Sequence, residues 1–219
     1  MTKTEYTAIE SHMTTHMQDS AHDVHHVYRV LNSALDIASH EKTADKDVLI
    51  AACLLHDIGR EQQFANPSLC HALTGSEMAY EFLLAQGWPA EKAALVKECI
   101  AAHRYRSDSP PQSIEAKILF DADKLDATGL IGIARTLIYQ GIVTHPIYTM
   151  DDNRKIIEYA PEGEGSGSFF HEYNFKLKNV YDSFFTQRAK EIADGRRQAA
   201  IDFYNSLYAE ISQNYEAGI

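Results

Sequence analysis

His56 and Asp57 stand side by side at the end of an apolar run, Val48-Leu49-Ile50-Ala51-Ala52-Cys53-Leu54-Leu55, and are followed by Ile58-Gly59. The run predicts a buried helix, and Gly59 predicts its stop. An imidazole and a carboxylate at the end of a core helix are costly to desolvate unless something satisfies them. A divalent cation satisfies both. Two further residues offer ligand atoms in similar settings. His26 adjoins an apolar helical face that holds Val27, Val30 and Ala34. Asp123 lies in Ile118-Leu119-Phe120-Asp121-Ala122-Asp123-Lys124-Leu125-Asp126, on the same helical face as Ala116 and Leu119. Each residue alone has an ordinary structural explanation, and Asp121 and Asp126 have roles as caps, ion-pair partners or ligand-orienting groups open to them. Together, His26, His56, Asp57 and Asp123 supply two imidazoles and two carboxylates from three helices. That donor set suits a divalent ion such as Mn²⁺, Mg²⁺, Fe²⁺, Ni²⁺, Co²⁺ or Zn²⁺. It leaves coordination positions for water and a substrate oxygen.

The elements that must position these residues read as helices almost throughout. Val27, Val30, Leu31, Ala34, Ile37 and Ala38 form the stripe of a helix starting near His22. Val48 to Asp57 is the next helix, and His71 to Gln86 a third, closed by Gly87. Pro89 opens a fourth, since proline suits a first helical turn; it runs to about His103. Ser107-Asp108-Ser109-Pro110-Pro111 marks a loop. A fifth helix is expected from Ser113 through Asp126, continued by a close-packed helical stretch, Gly129 to Ala134. The segment from Gly141 to Ser168, with Pro146, Pro161 and a Gly/Ser run, reads as a long excursion. Helices then resume from Glu172 to Phe185 and from Thr186 to Ser212. The expectation is a mostly α protein. It has an N-terminal helix or arm over 1–20, a core over 21–140, a loop excursion over 141–170, and C-terminal helices over 171–219 packing on the core. Tyr148, Tyr159, Phe169, Phe170 and Tyr173 flank the Gly/Ser run; they could stack on a base or pin the loop to the helices.

Composition narrows the functions. The 219 residues are 45% hydrophobic, enough for one domain with an ample core. A net charge of −11 repels polynucleotides, so no polynucleotide partner is expected. A small anionic substrate remains compatible if a metal and a few basic residues reverse the potential locally. The 11 histidines are many for this length. Three cysteines without a CxxC pair fit a reducing compartment. No apolar signal region opens the chain, and no apolar run approaches the ~20 residues that span a bilayer. The expected location is the cytoplasm, with no membrane partner.

The ordered set of an early His, a His-Asp pair and a late Asp, all on helices, resembles the HD phosphohydrolase superfamily. His22-Asp23-Val24-His25-His26-Val27-Tyr28-Arg29-Val30 is similar to that family's opening helix. Glu115 to Ala127 is similar to the closing one in a bacterial subgroup of stand-alone HD hydrolases. Gly132-Ile133-Ala134-Arg135 and Ala189-Lys190-Glu191-Ile192-Ala193 also resemble that subgroup. The likeness is good over residues 20–140 and weaker over 170–210.

The resemblance implies an HD-domain helical bundle with a C-terminal helical extension. It assigns His26, His56, Asp57 and Asp123 as metal ligands, with Asp123 selected over Asp121 by the Ala-Asp-x-Leu pattern. Two-metal members of the superfamily recruit histidines from places like those of His71 and His103. In single-metal members such histidines contact phosphate or act as acids. Asp57, His71, His103 and Lys124 are therefore the expected catalytic groups. Arg60, Arg104, Arg106 and Lys124 are the expected phosphate clamp. Glu61 is open to a role as general base or to simple solvation. The implied activity is metal-dependent hydrolysis of a phosphate ester or anhydride, with a small phosphorylated substrate, nucleotides by default. The chain lacks the Gly-Tyr-Pro motif expected of the cyclic-dinucleotide branch. The alternative is a non-catalytic metal- or ligand-sensing module on the same scaffold. The helical surfaces leave room for a homodimer.

Overall fold

The computed structural model describes residues 1–17, 23–41, 43–104, 110–159 and 167–216. Every regular element among them is helical; the only strand-like pairing among them is an isolated bridge between Met150 and Ile156. The chain divides into two units. One comprises Met1–Asp126 with Phe185–Ala189, the other Ala127–Phe184 with Lys190–Ile219.

The first unit holds α1 (Lys3–His16), α2 (Val24–Ser39), α3 (Lys46–Leu55), α4 (Arg60–Ala65), α5 (His71–Ala85), α6 (Ala90–Ala102) and α7 (Ile114–Leu125). The helices start where the sequence offers acceptors for free N–H groups. Asp23 caps α2, Asp45 caps α3 and Ser113 caps α7, each accepting a backbone N–H from the first turn. The apolar stripe of α2 is buried as its spacing predicts: Val27, Val30, Leu31, Ala34, Ile37 and Ala38 all lie inside. α3 is central and touches α1, α2, α5, α6 and α7. This explains why its sequence is apolar on every side, with Val48, Leu49 and Ala51 to Leu55 all buried.

Gly59 differs from the sequence expectation. Its φ is −84°, so it does not terminate α3 through a left-handed turn. An added Cβ would lie 2.3 Å from the His71 carbonyl oxygen and 2.5 Å from the Gly75 nitrogen. The glycine is there so that the turn after His56-Asp57 can lie against the start of α5. The short helix α4 that follows was not visible in the apolar pattern. His22, taken as the start of α2, lies outside the described residues, as does Arg106.

The second unit holds α8 (Gly129–Ile142), α9 (Phe169–Phe175) and a 3₁₀ helix (Leu177–Asp182). Most of α10 (Gln187–Glu216) belongs to it as well. Phe169, Phe170 and Tyr173 are buried with Ile133, Ile156, Leu177, Ala200 and Ile211, and Tyr148 packs against them. These aromatics form the unit's core. Tyr159 is exposed, and its hydroxyl donates to Asn174 Oδ1 at 3.2 Å. Of the Gly/Ser run, residues 163–166 lie outside the described part. Among the described residues, no helix is long and apolar enough to cross a membrane.

Candidate metal centre

Four histidines and two aspartates meet inside the first unit. His56 is the C-cap of α3 and His103 the C-cap of α6. The last carbonyls of a helix have no backbone donor in their own helix. Both imidazoles fold back onto carbonyls near these ends: His56 Nδ1 lies 2.8 Å from Cys53 O, and His103 Nδ1 lies 2.6 Å from Ile100 O, which also accepts the His103 backbone N–H at 3.3 Å. A carbonyl only accepts, so in the neutral form of both rings the proton sits on Nδ1 and Nε2 keeps its lone pair. His71, the first residue of α5, reaches Gln63 Oε1 through Nδ1 at 2.7 Å. The Gln63 Nε2 donates to Leu69 O at 3.0 Å, which turns its oxygen toward His71. His26, in the first turn of α2, reaches the carboxylate of Asp126 through Nδ1 at 2.7 Å. All four rings are thus held in the tautomer of a metal ligand.

The four lone pairs converge on one buried carboxylate. Asp57 Oδ2 is 3.5 Å from His26 Nε2 and 3.4 Å from His56 Nε2. Asp57 Oδ1 is 3.6 Å from both His71 Nε2 and His103 Nε2. His26 Nε2 and His56 Nε2 are 3.3 Å apart, and Asp123 Oδ1 is 3.6 Å from His26 Nε2. Among the described residues neither oxygen of Asp57 has a well-directed hydrogen bond, and Arg60 Nε forms an ion pair with Oδ2 at 2.6 Å. A buried carboxylate ringed by four imidazoles, with a single guanidinium at its edge, fits a further cation among these donors. Two donor groups have ligand atoms close enough to share an ion: His26, His56 and Asp123, and Asp57, His71 and His103.

The electrostatics agree. Burial penalises charge on Asp57, yet Arg60 and the surrounding imidazoles outweigh it and hold the carboxyl well below its usual range. Burial likewise opposes charge on Asp123, and Lys124 and the histidines outweigh it there. His56 is raised: burial lowers it, but Asp57 and Asp123 overcome that. His71 goes the other way, to about 2, through burial and the repulsion of Arg60. His103 is lowered, chiefly by burial.

The residues singled out in the sequence are placed as follows. His26, His56, Asp57, His71, His103 and Asp123 come together. Lys124 pairs with Asp123 Oδ2 at 3.0 Å, with its ammonium over the Phe120 ring. Arg60 faces Asp57, and Arg104 lies 3.9 Å from the Cys70 sulfur. Glu61 is exposed. Asp121 is turned elsewhere: its carboxylate accepts from Phe185 N (2.9 Å), Thr186 N (2.7 Å) and Thr186 Oγ1 (2.6 Å), where α10 begins. The residues that sequence reasoning missed are those behind the donors. Gln63 carries no signal in the sequence. Arg29 does, because it stands three residues beyond His26 on the same helical face; Asp126, open in the sequence to a capping, pairing or ligand-orienting role, lies behind His26.

This arrangement is the centre of an HD domain. The chain belongs to the HD domain family, whose pattern matches residues 23–128. It is 32% identical over 198 residues to the protein YpgQ of Bacillus subtilis strain 168, covering 89% of this chain and 86% of YpgQ. The crystal structure of YpgQ in complex with ADP superposes with a TM-score of 0.72 at 26% identity, covering 94% of this chain and 97% of that one. The crystal structure of a predicted HD superfamily hydrolase from an uncultured Thermotogales bacterium gives a TM-score of 0.62 at 29% identity, over 95% and 92% of the two chains. The 3′-5′ exoribonuclease YhaM of Bacillus velezensis is 27% identical over 144 residues, 58% of this chain but only 46% of that protein. Membership of the HD hydrolase superfamily supports a metal-dependent phosphohydrolase.

Proposed function

We propose that the protein hydrolyses a phosphate ester or anhydride of a small nucleotide at a divalent metal held by His26, His56, Asp57 and Asp123. The observation that carries this reading is the convergence of four imidazole Nε2 atoms on the buried carboxylate of Asp57. When bound, a divalent ion supplies Lewis acidity at the phosphoryl group and lowers the pKa of water in its field. His71 and His103, kept neutral by burial, accept hydrogen bonds from the attacking water through Nε2 and orient it. Lys124 and Arg104 reach the phosphoryl oxygens and hold the charge that grows on them in the transition state. Arg60 keeps Asp57 ionised. The ADP bound to YpgQ supports a nucleotide as the substrate class. The net charge of −11 favours a small one over a polynucleotide.

A second reading shares the same site. Asp57, His71 and His103 form a donor group of their own, which would hold a second ion. Titration with Mn²⁺ distinguishes the two by stoichiometry. The activity is tested by a phosphate- and pyrophosphate-release screen of nucleotides with Mn²⁺, Mg²⁺, Co²⁺ or Ni²⁺ added. Turnover that disappears in Asp57→Ala is the expected result. Turnover retained in that variant rejects the reading, and metal binding without turnover transfers the site to a sensing module.

A further inference from the structure

We propose that Asp126, clamped by Arg29, is a positioning residue that fixes the tautomer of His26 and so sets the affinity of the metal centre. The proposal rests on the metal-centre reading above. Its origin lies in where His26 sits. His56 and His103 are at helix C-termini and anchor Nδ1 on a carbonyl of their own helix. His26 is at the other end, in the first turn of α2, where the helix exposes N–H groups rather than carbonyls. Its own backbone N–H is already taken by the Asp23 cap at 2.8 Å. An acceptor for Nδ1 has to come from another element.

Asp126, the C-cap of α7, supplies it. Oδ2 lies 2.7 Å from His26 Nδ1. Arg29, one turn along α2 from His26, grips the same carboxylate with Nε on Oδ1 at 2.7 Å and an Nη on Oδ2 at 2.9 Å. The guanidinium fork fixes the plane of the carboxylate and keeps it an acceptor. His26 therefore keeps its proton on Nδ1 and presents the Nε2 lone pair to Asp57 and Asp123. The end of α7 thus contributes twice, with Asp123 facing the ion and Asp126 holding a ligand from behind.

Asn at this position has one oxygen where three donors need two. If the amide oxygen faces Arg29 Nε, the amide NH₂ faces both the Arg29 Nη and His26, and the ring proton is driven to Nε2. If the amide is reversed, its NH₂ confronts Arg29 Nε. Asp126→Asn is therefore expected to weaken Mn²⁺ binding about 10–100-fold, the usual effect of losing such an outer partner. In the metal-free protein the ¹⁵N shifts of His26 are expected to report Nδ1–H in the wild type and a shift toward Nε2–H in the variant. A role confined to holding helices together would leave the tautomer alone. Arg29→Lys keeps the charge without the fork and is expected to fall between the wild type and Asp126→Asn in Mn²⁺ affinity. It carries the test if Asp126→Asn does not fold. Wild-type affinity and an unchanged His26 tautomer in Asp126→Asn, or wild-type affinity in Arg29→Lys when only that variant folds, would overturn the proposal. A wild-type protein that binds no Mn²⁺ overturns the metal-centre reading instead, and the ¹⁵N measurement still decides the role of Asp126.

Discussion

Asp121 and Asp123 are two residues apart on α7, and exchanging their roles would change the site, so their removal makes a sharp test. Asp121 is fully buried and satisfies two backbone N–H groups and one hydroxyl at the start of α10. Asp121→Ala leaves those three donors without their acceptor. At about 1–3 kcal/mol for each buried donor, with water recovering part of it, the cost is roughly 3–5 kcal/mol. That is a large part of the about 5–15 kcal/mol that holds a typical protein together. For a chain of this size it lowers the melting temperature by roughly 6–20 °C. Asp123→Ala removes a carboxylate that pairs with Lys124 and His26 and has no backbone N–H among the partners described for it. The metal-free protein should melt within a few degrees of the wild type. The order reverses when Mn²⁺ is added. At a hundredfold excess over its dissociation constant, a ligand stabilises the folded state by about 2.7 kcal/mol. Asp121→Ala should keep that increment and Asp123→Ala should lose it. The assay is differential scanning fluorimetry with and without Mn²⁺. A metal-free Asp123→Ala as unstable as Asp121→Ala, or an Asp121→Ala that no longer responds to Mn²⁺, would refute the assignment.

Three further perturbations follow from the geometry. Gly59→Ala sets a Cβ 2.3 Å from the His71 carbonyl oxygen, so it should cost about 1–3 kcal/mol or more in thermal unfolding and weaken Mn²⁺ binding by shifting α5. Gln63→Leu removes the acceptor of His71 Nδ1 and should lower turnover about 10–100-fold, whereas Gln63→Glu, which retains an acceptor, should lose much less; equal loss in both would exclude an orienting role. Asp45 caps α3, and its carboxyl is lowered, first by the hydrogen bond from Lys92. A depressed carboxyl adds stability above its unfolded pKa and loses it as the pH falls through its folded value. Asp45→Asn should therefore be less stable than the wild type at pH 7 by urea unfolding, and the gap should close below about pH 4; a gap independent of pH would show that the charge contributes nothing.

Much of the fold was legible because burial leaves a period in the sequence. The stripe Val27, Val30, Leu31, Ala34, Ile37 and Ala38 points inward residue for residue, and the all-apolar run before His56 is the helix enclosed by its neighbours. The donors were legible because a charged or polar residue inside such a pattern is conspicuous. What stayed hidden depends on contacts across long separations. Gly59 was read as a stop, but its meaning lies in how closely it approaches Gly75, and no local pattern encodes that. Asp121 looked like a second candidate ligand because the sequence does not show which way a helical carboxylate turns, nor that Phe185 and Thr186 would need it. Gln63 was invisible because an amide on a short exposed helix is ordinary until the ring it holds is seen. The aromatics around the Gly/Ser run had two readings, and the core of the second unit takes most of them.

The most direct test is anomalous diffraction at the manganese edge from crystals grown with Mn²⁺. A peak bonded to Nε2 of His26 and His56 and to carboxylate oxygens of Asp57 and Asp123 is expected. No peak at that position, or one whose ligands exclude Asp57, would contradict the metal-centre reading.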